Sequence, residues 1–257
     1  MNNSAFAVVQ PIEDAPGRSC CCYAFCKRPL DVLFALFGFV LGFPVIAFVA
    51  VLVKLTSRGP IIYSQVRLGL GGRPFRVYKL RTMYHNCEAL SGPCWSVKGD
   101  SRITPVGRFL RWSHLDELPQ MWNILIGDMS LIGPRPERPE MVPNLERAIP
   151  RYRERLQVRP GLTGLAQVQL PPDTDLNSVR VKLAYDLRYL ERFSFWLDCR
   201  IFFATFGHIL GMPYAKTTAV FGLPGAEVVA KRVELREAKS YGLVEEKPVV
   251  VADLQTV

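Results

Sequence analysis

The chain has 257 residues, 49% of them hydrophobic, and a formal net charge of +9, with a mean hydropathy of +0.12. That length holds one domain of ordinary size with appendages, and the hydropathy is too high for a plain soluble domain and too low for a polytopic transporter. The basic excess implies an anionic partner (nucleic acid, acidic lipid headgroups or phosphorylated substrates) without choosing among them.

Residues 1–26 read as a weakly ordered N-terminal tail, interrupted by Pro11, Pro16 and Gly17 and lacking the apolar core of a secretory signal peptide. Four of the seven cysteines, Cys20, Cys21, Cys22 and Cys26, crowd at its end. Their spacing fits no zinc template, so they read as reduced thiols, with lipidation beside a membrane as the alternative.

Lys27-Arg28-Pro29 leads into an uncharged apolar run of 22 residues, Val32 to Val53. As a helix this run would be about 33 Å long, enough to cross a hydrocarbon core of roughly 30 Å. Pro44 falls in the middle, removes a backbone hydrogen bond and bends the axis. It would leave arms of roughly 18 and 15 Å. Basic residues flank both ends, Lys27 and Arg28 before and Lys54, Arg58 and Arg67 after, and the positive-inside tendency draws both towards the cytoplasm. Two readings stay open: a re-entrant helix over 27–58 broken at Pro44, and a spanning signal-anchor helix with a kink.

Residues 59–211 are expected to form the main folded domain. Ile61 to Arg67 and Phe75 to Leu80 are β-prone runs around Gly69-Leu70-Gly71-Gly72, which predicts a β-hairpin. Ser113 is placed to cap a helix carrying Leu115, Leu118, Trp122 and Leu125 as a buried stripe. Val179 to Tyr189 predicts an amphipathic helix, continued by Phe195-Trp196-Leu197 and Ile201-Phe202-Phe203 as an aromatic face suited to a membrane interface or to a core. Residues 212–257 read as a peripheral C-terminal extension.

The densest chemistry lies between Asp100 and Arg138. Asp116 and Glu117 are adjacent, close to Arg102, Arg108 and Arg111. Neighbouring helix positions point about 100° apart, so the two acids cannot play identical roles. Ser113-x-x-Asp116 also resembles a capping box, a structural use of the same residues. Lys79 and Arg81 follow the hairpin, Arg135 sits between prolines, and Arg159 precedes Pro160-Gly161. Arginines restrained by prolines suit phosphate oxygens, and Gly161, Thr163 and Gly164 could offer backbone N–H groups to a phosphate. Carboxylates among such arginines suit Mg2+-assisted phosphoryl transfer. His114 lies beside the acids and is a further candidate for a part in catalysis. Tyr and Trp are not interleaved with the arginines, so a nucleic-acid partner is not expected.

From Lys27 to Leu210 the chain resembles the bacterial sugar transferases of the monotopic phosphoglycosyl transferase superfamily. The resemblance rests on KRPLDV at 27–32, FRVYKLRTM at 75–83, DSRITPVGRFLR at 100–111, LDELPQMWNILIGDMSLIGPRP at 115–136 and VRPGLTGLAQV at 158–168. It implies a mostly helical α+β catalytic domain with a short hairpin, a re-entrant membrane helix broken at Pro44 and interfacial amphipathic helices. It implies transfer of a sugar-1-phosphate from a UDP-sugar to a polyprenyl (undecaprenyl) phosphate, releasing UMP and initiating assembly of an exopolysaccharide, O-antigen, capsule or glycoprotein glycan. Asp116 would be the nucleophile of a covalent intermediate, Asp116 and Glu117 would hold Mg2+, and Arg111 and Arg135 would bind phosphate, joined by Lys79, Arg81 and Arg159. The expected location is the bacterial inner membrane, among its lipids, with the site on the cytoplasmic face; an oligomer is compatible with it. Phe43, His114, Leu165 and Gln169-Leu170 depart from the frequent residues, and the last two bear on substrate identity more than on the reaction. The competing reading is a non-catalytic membrane adaptor of a glycan-assembly complex.

Overall fold

A computed structural model describes residues 18–85, 87 and 99–229. The first seventeen residues and the stretch beyond 229, where most of the expected N-terminal tail and C-terminal extension fall, lie outside the described residues. The architecture is mostly helical with two small sheets. The described residues up to 223 belong to one compact unit, and 224–229 are the described part of a second.

Helix α1, Arg18–Thr56, is a single assigned helix that starts ahead of the expected boundary at 27 and carries both Pro29 and Pro44 inside it. One narrow stripe is buried, formed by Asp31, Ala35, Gly42, Val49 and Val53 at helical spacing. Leu33, Phe37, Val40, Leu41, Phe43 and Phe48 are each 59–65% exposed. The stretch Phe25–Thr56 is long and apolar enough to cross a membrane, by length and composition.

Polar side chains pin α1 to the body at both ends. Near its start Tyr23 Oη donates to Asp198 Oδ2 at 2.6 Å, Lys27 pairs with the same carboxylate, and Arg28 donates to the carbonyls of Ile124 (2.6 Å) and Leu125 (3.0 Å). Asp31 accepts from Ser130 Oγ at 2.7 Å and from Leu131 N at 3.0 Å. At its far end Arg81 donates through Nη2 to the Ser57 carbonyl at 2.7 Å and to Ser57 Oγ at 2.8 Å, and through Nη1 to the Pro60 carbonyl.

The expected hairpin is present: β1 (Ile62–Leu68) pairs antiparallel with β2 (Pro74–Leu80), from Ile62 opposite Leu80 to Leu68 opposite Pro74. Helix α2, Pro105–Ser113, is capped by Thr104, whose side chain accepts from Gly107 N, with Pro at the first helical position. Ser113 therefore ends a helix instead of starting one, and its hydroxyl bonds back to the Phe109 carbonyl at 2.9 Å.

Helix α3, Gln120–Ile126, is held between two neighbours. Leu118 and Met121 lie against Gly42 and Gly38 of α1, while Asn123 bridges to β2 through Tyr78 N and the Arg76 carbonyl. Its buried residues are Gln120, Asn123 and Ile124. The expected stripe fails at Trp122, which is exposed with its ring 6.3 Å from that of Phe39, because both buried faces of so short a helix are already taken.

Strands β3 (Ser130–Ile132) and β4 (Gly161–Thr163) pair in parallel. Gly161 N donates to the Pro134 carbonyl at 2.9 Å, and a Cβ at Gly161 would fall 2.1 Å from Gly133 N. The glycine there serves close backbone approach, and its N–H is spent within the protein instead of on a phosphate. Helix α4 (Val142–Ala148) and the 3-10 turn Tyr152–Gln157 share a core with Leu68, Val179 and Leu183. The predicted amphipathic helix is α5, Leu176–Arg192, capped by Asp175 and Ser178. Ser194 then caps a separate helix, α6 (Phe195–Ile209), so the two do not run on as one. Phe195, Trp196, Phe203 and Phe206 of α6 are exposed, and Phe202 stacks 5.7 Å from Phe34 of α1. Helix α7, Tyr214–Val220, packs on α6.

A methyl group at Gly107 would lie 2.0 Å from the Thr82 carbonyl oxygen, a backbone atom with no room to retreat. Gly107→Ala is expected to cost about 3 kcal/mol, read as a lowered Tm of detergent-purified protein, whereas Arg73→Ala at an exposed turn should stay within about 0.5 kcal/mol. An unchanged Tm for Gly107→Ala would refute this packing.

Candidate active site

The acids sit where the chain turns sharply between two helices. After α2, His114 takes a left-handed conformation, φ 57°, and Leu115–Glu117 form a 3-10 turn. A left-handed histidine costs about 1 kcal/mol and reverses the chain so that both carboxyls point inward. Leu118 and Pro119 are already helical and lead into α3.

Glu117 is the fixed point of the cluster. Its Oε1 accepts from Lys79 Nζ at 2.6 Å and from Arg135 Nη2 at 2.7 Å. Lys79 comes from β2, and Arg135 comes from the Pro134-Arg135-Pro136 loop that follows β3. Arg111 donates from Nε to Thr82 Oγ1 at 2.9 Å and lies close enough to Asp116 to act on its charge. Asp116 is buried, and the side-chain hydrogen bonds of Lys79, Arg135 and Arg111 just described end elsewhere.

The electrostatics separate the two acids. Burial pushes Glu117 up, but Arg135 and Lys79 outweigh it and hold the carboxyl well below the usual range. Asp116 is raised to about 6, first by burial and next by the Glu117 charge, against the pull of Lys79, Arg111 and Arg135. Burial lowers Lys79, and Glu117 raises Arg135. Pairs of carboxyls driven apart in this way mark a division of roles. Glu117 is a permanent anion spent on positioning cations, and Asp116 is the more basic and less encumbered carboxylate. Three cations thus stand around two acids, an excess of one positive charge when both acids are ionised.

Five of the seven side chains expected here thus converge: Asp116, Glu117, Lys79, Arg111 and Arg135. Two do not. Arg81 is buried with its guanidinium on the backbone at the end of α1. Arg159 is exposed and donates from Nε to the Gly127 carbonyl at 3.0 Å, at the end of α3 away from the dyad. The length of α3 separates it from the acids by about 10 Å. Sequence reasoning missed Thr82, Asn123 and Gln120, whose buried Nε2 has no partner among the described residues. It also missed the ion cluster behind Arg135, where Arg155, Lys182, Glu137, Asp173 and Asp186 meet.

Comparison with known proteins bears on this arrangement. The family described as bacterial sugar transferase matches residues 22–212. A UDP-N-acetylgalactosamine-undecaprenyl-phosphate N-acetylgalactosaminephosphotransferase of Aeromonas hydrophila is 46% identical over 188 residues, 73% of this chain and 44% of that protein. A UDP-glucose:undecaprenyl-phosphate glucose-1-phosphate transferase of Caulobacter vibrioides is 44% identical over 188 residues, 72% of this chain and 69% of its own length. The exopolysaccharide production protein PSS of Rhizobium leguminosarum bv. phaseoli is 40% identical over 184 residues, 70% of this chain and 92% of that protein. The match therefore spans less than half of the Aeromonas relative and nearly all of the Rhizobium one.

The placement of Arg81 has a measurable consequence. Arg81→Met should lower stability by about 2–4 kcal/mol, because it frees buried carbonyls at the end of α1. The rate per folded molecule should stay within about twofold of wild type if Arg81 touches no reacting group. A folded variant with wild-type Tm but a collapsed rate would return Arg81 to the active site.

Proposed function

The chain belongs to the bacterial sugar transferase family, and on that premise we propose that it transfers a sugar-1-phosphate from a UDP-sugar to a polyprenyl (undecaprenyl) phosphate, yielding polyprenyl-diphosphate-sugar and UMP. The observation that carries this reading is the buried Asp116 carboxylate, raised to about 6 and set among Lys79, Arg111 and Arg135. In the first step an Asp116 oxygen attacks the β-phosphorus of the donor, the bond from that phosphorus to the oxygen bridging the two phosphates breaks, and UMP departs with the electron pair. In the second, an oxygen of the lipid phosphate attacks the same phosphorus, the Asp116–phosphorus bond breaks and the carboxylate is restored. Arg135 and Arg111 neutralise phosphate oxygens, Lys79 holds Glu117 and Arg135 in register, and Glu117 keeps both cations charged and oriented.

The residues present fit Mg2+. Asp116 and Glu117 Oε2 are hard oxygen donors on neighbouring residues. That suits a cation held by one or two carboxylates and completed by substrate phosphates. When bound it would supply charge neutralisation at the transferring phosphoryl group.

The setting we propose is the cytoplasmic face of a bacterial inner membrane, with α1 re-entrant and the product starting an exopolysaccharide, O-antigen, capsule or glycoprotein glycan. Support comes from α1 itself. Its start is bonded to Asp198 and the end of α3, its finish to Arg81, all within one compact unit. Attachment of both ends of the helix to one compact unit favours a re-entrant path over a spanning one. Pro44 denies the Val40 carbonyl its helical partner, which marks the place for a bend. The outer face exposes Leu and Phe side chains worth about 1.5–3 kcal/mol each when removed from water. Trp112 and Trp196 are 71% and 72% exposed, as expected of rings at a headgroup interface.

Two experiments test this. With undecaprenyl phosphate, Mg2+ and either UDP-N-acetylgalactosamine or UDP-glucose, wild type should release UMP from at least one donor. Asp116→Asn should fold normally and lose about 10³-fold or more of that rate. Release of UDP, or an active Asp116→Asn, would sink the covalent mechanism. For topology, single cysteines at Phe25 and Arg58 in a cysteine-free background should both react only with reagent on the cytoplasmic side; labelling from opposite sides would establish a spanning helix.

A further inference from the structure

We propose that Arg155 is a positioning residue that sets Arg135 against the acid dyad. This rests on the phosphoryl-transfer reading above. The Pro134–Glu137 loop presents four successive carbonyls, held from three parts of the fold: β4, the 3-10 turn Tyr152–Gln157 and the end of β1. Pro134 O accepts from Gly161 N at 2.9 Å, and Glu137 O from Leu68 N at 3.0 Å. Arg135 O accepts from Arg155 Nη2 at 2.9 Å, and Pro136 O from Arg67 Nη1 at 3.1 Å. Two of the four residues are prolines, with fixed φ and no N–H, and Arg135, which precedes Pro136, is held to extended backbone, so the loop has little freedom left.

Arg155 does more than fill space. Its side chain is 3% exposed, and its fork also donates to Tyr152 Oη at 2.8 Å, while Glu137 Oε1 lies 3.4 Å from Nη1 and Asp186 Oδ2 lies 2.7 Å from Nη2. Lys182 Nζ completes the cluster, 2.7 Å from Glu137 Oε1 and 2.6 Å from Asp173 Oδ2. Buried ion clusters are often replaceable by apolar residues without loss of stability. An apolar substitute would not hold the carbonyl of the residue whose guanidinium meets Glu117 at 2.7 Å. The planar fork, anchored on three sides, fixes that carbonyl and with it the direction from which Arg135 enters the site.

The test is a double-mutant cycle on UMP release. Arg155→Lys keeps the charge but loses the fork. With Arg135 intact it should lower kcat/KM about tenfold or more, since small misplacements of a catalytic group are amplified. In an Arg135→Lys background the same change should cost less than about twofold, because the group it positions is already gone. An equal loss in both backgrounds means a merely structural role and overturns the proposal, as does a wild-type rate for folded Arg155→Lys. Should Arg155→Lys fail to fold, Tyr152→Phe removes one anchor of the Arg155 fork and takes its place in the cycle: a loss confined to the Arg135 background supports the proposal, and an equal loss in both, or none, overturns it. If wild type releases no UMP from either donor, the phosphoryl-transfer reading falls, an outcome distinct from failure of the cycle.

Discussion

The site depends on a single carboxylate oxygen shared by two cations. Glu117 Oε1 draws Lys79 from the hairpin and Arg135 from the proline loop to within 2.7 Å, and neither segment is near the other in sequence. A buried acid would ordinarily protonate, yet the two cations keep it charged, so its anion is available as a structural centre. That permanent charge has a second effect: it stands beside Asp116 and, together with burial, drives that carboxyl up. One pairing thus organises the cations and leaves the neighbouring acid as the basic, uncommitted member of the dyad.

The same turn ties the chemistry to α1. Leu118, next after the dyad, packs on Gly42, and Met121 packs on Gly38. Asn123 on the opposite side of α3 grips the β2 backbone, the strand that delivers Lys79. The dyad is therefore placed by a short helix clamped between the hairpin and the middle of an apolar helix, within two residues of Pro44. A displacement of α1 would move α3, and through it both acids.

Much of this was legible in the sequence because the signals are local. The hairpin followed from β-prone runs around a glycine turn, the α5 helix from its period, and the dyad from adjacent acids among arginines. What failed to read was long-range or ambiguous at short range. Ser113-x-x-Asp116 has the spacing of a capping box, but Thr104 and Pro105 start the helix earlier, and His114 supplies the left-handed turn that no pattern announced. Arg81 and Arg159 look like phosphate ligands from their neighbours and are instead spent on carbonyls. Gly161 and Gly164 look like a phosphate cradle and instead let β3 and β4 approach. The cluster of Glu137, Arg155, Asp173, Lys182 and Asp186 joins residues whose encounter depends on tertiary structure, and each alone reads as a surface charge.

The arrangement would also suit the two-step displacement proposed above. Arg135 and Lys79 approach the dyad from the polar body, while Leu118 connects it to the apolar helix. A water-soluble donor and a lipid acceptor would come to the acids from these different surroundings. A carboxylate that carries the phosphoryl group between them removes the need for both to be bound in line at once. Such a mechanism would require one phosphorus centre to be held still through two attacks, and the pinned carbonyls of residues 134–137 would serve it by tying the arginine that meets the dyad to the scaffold.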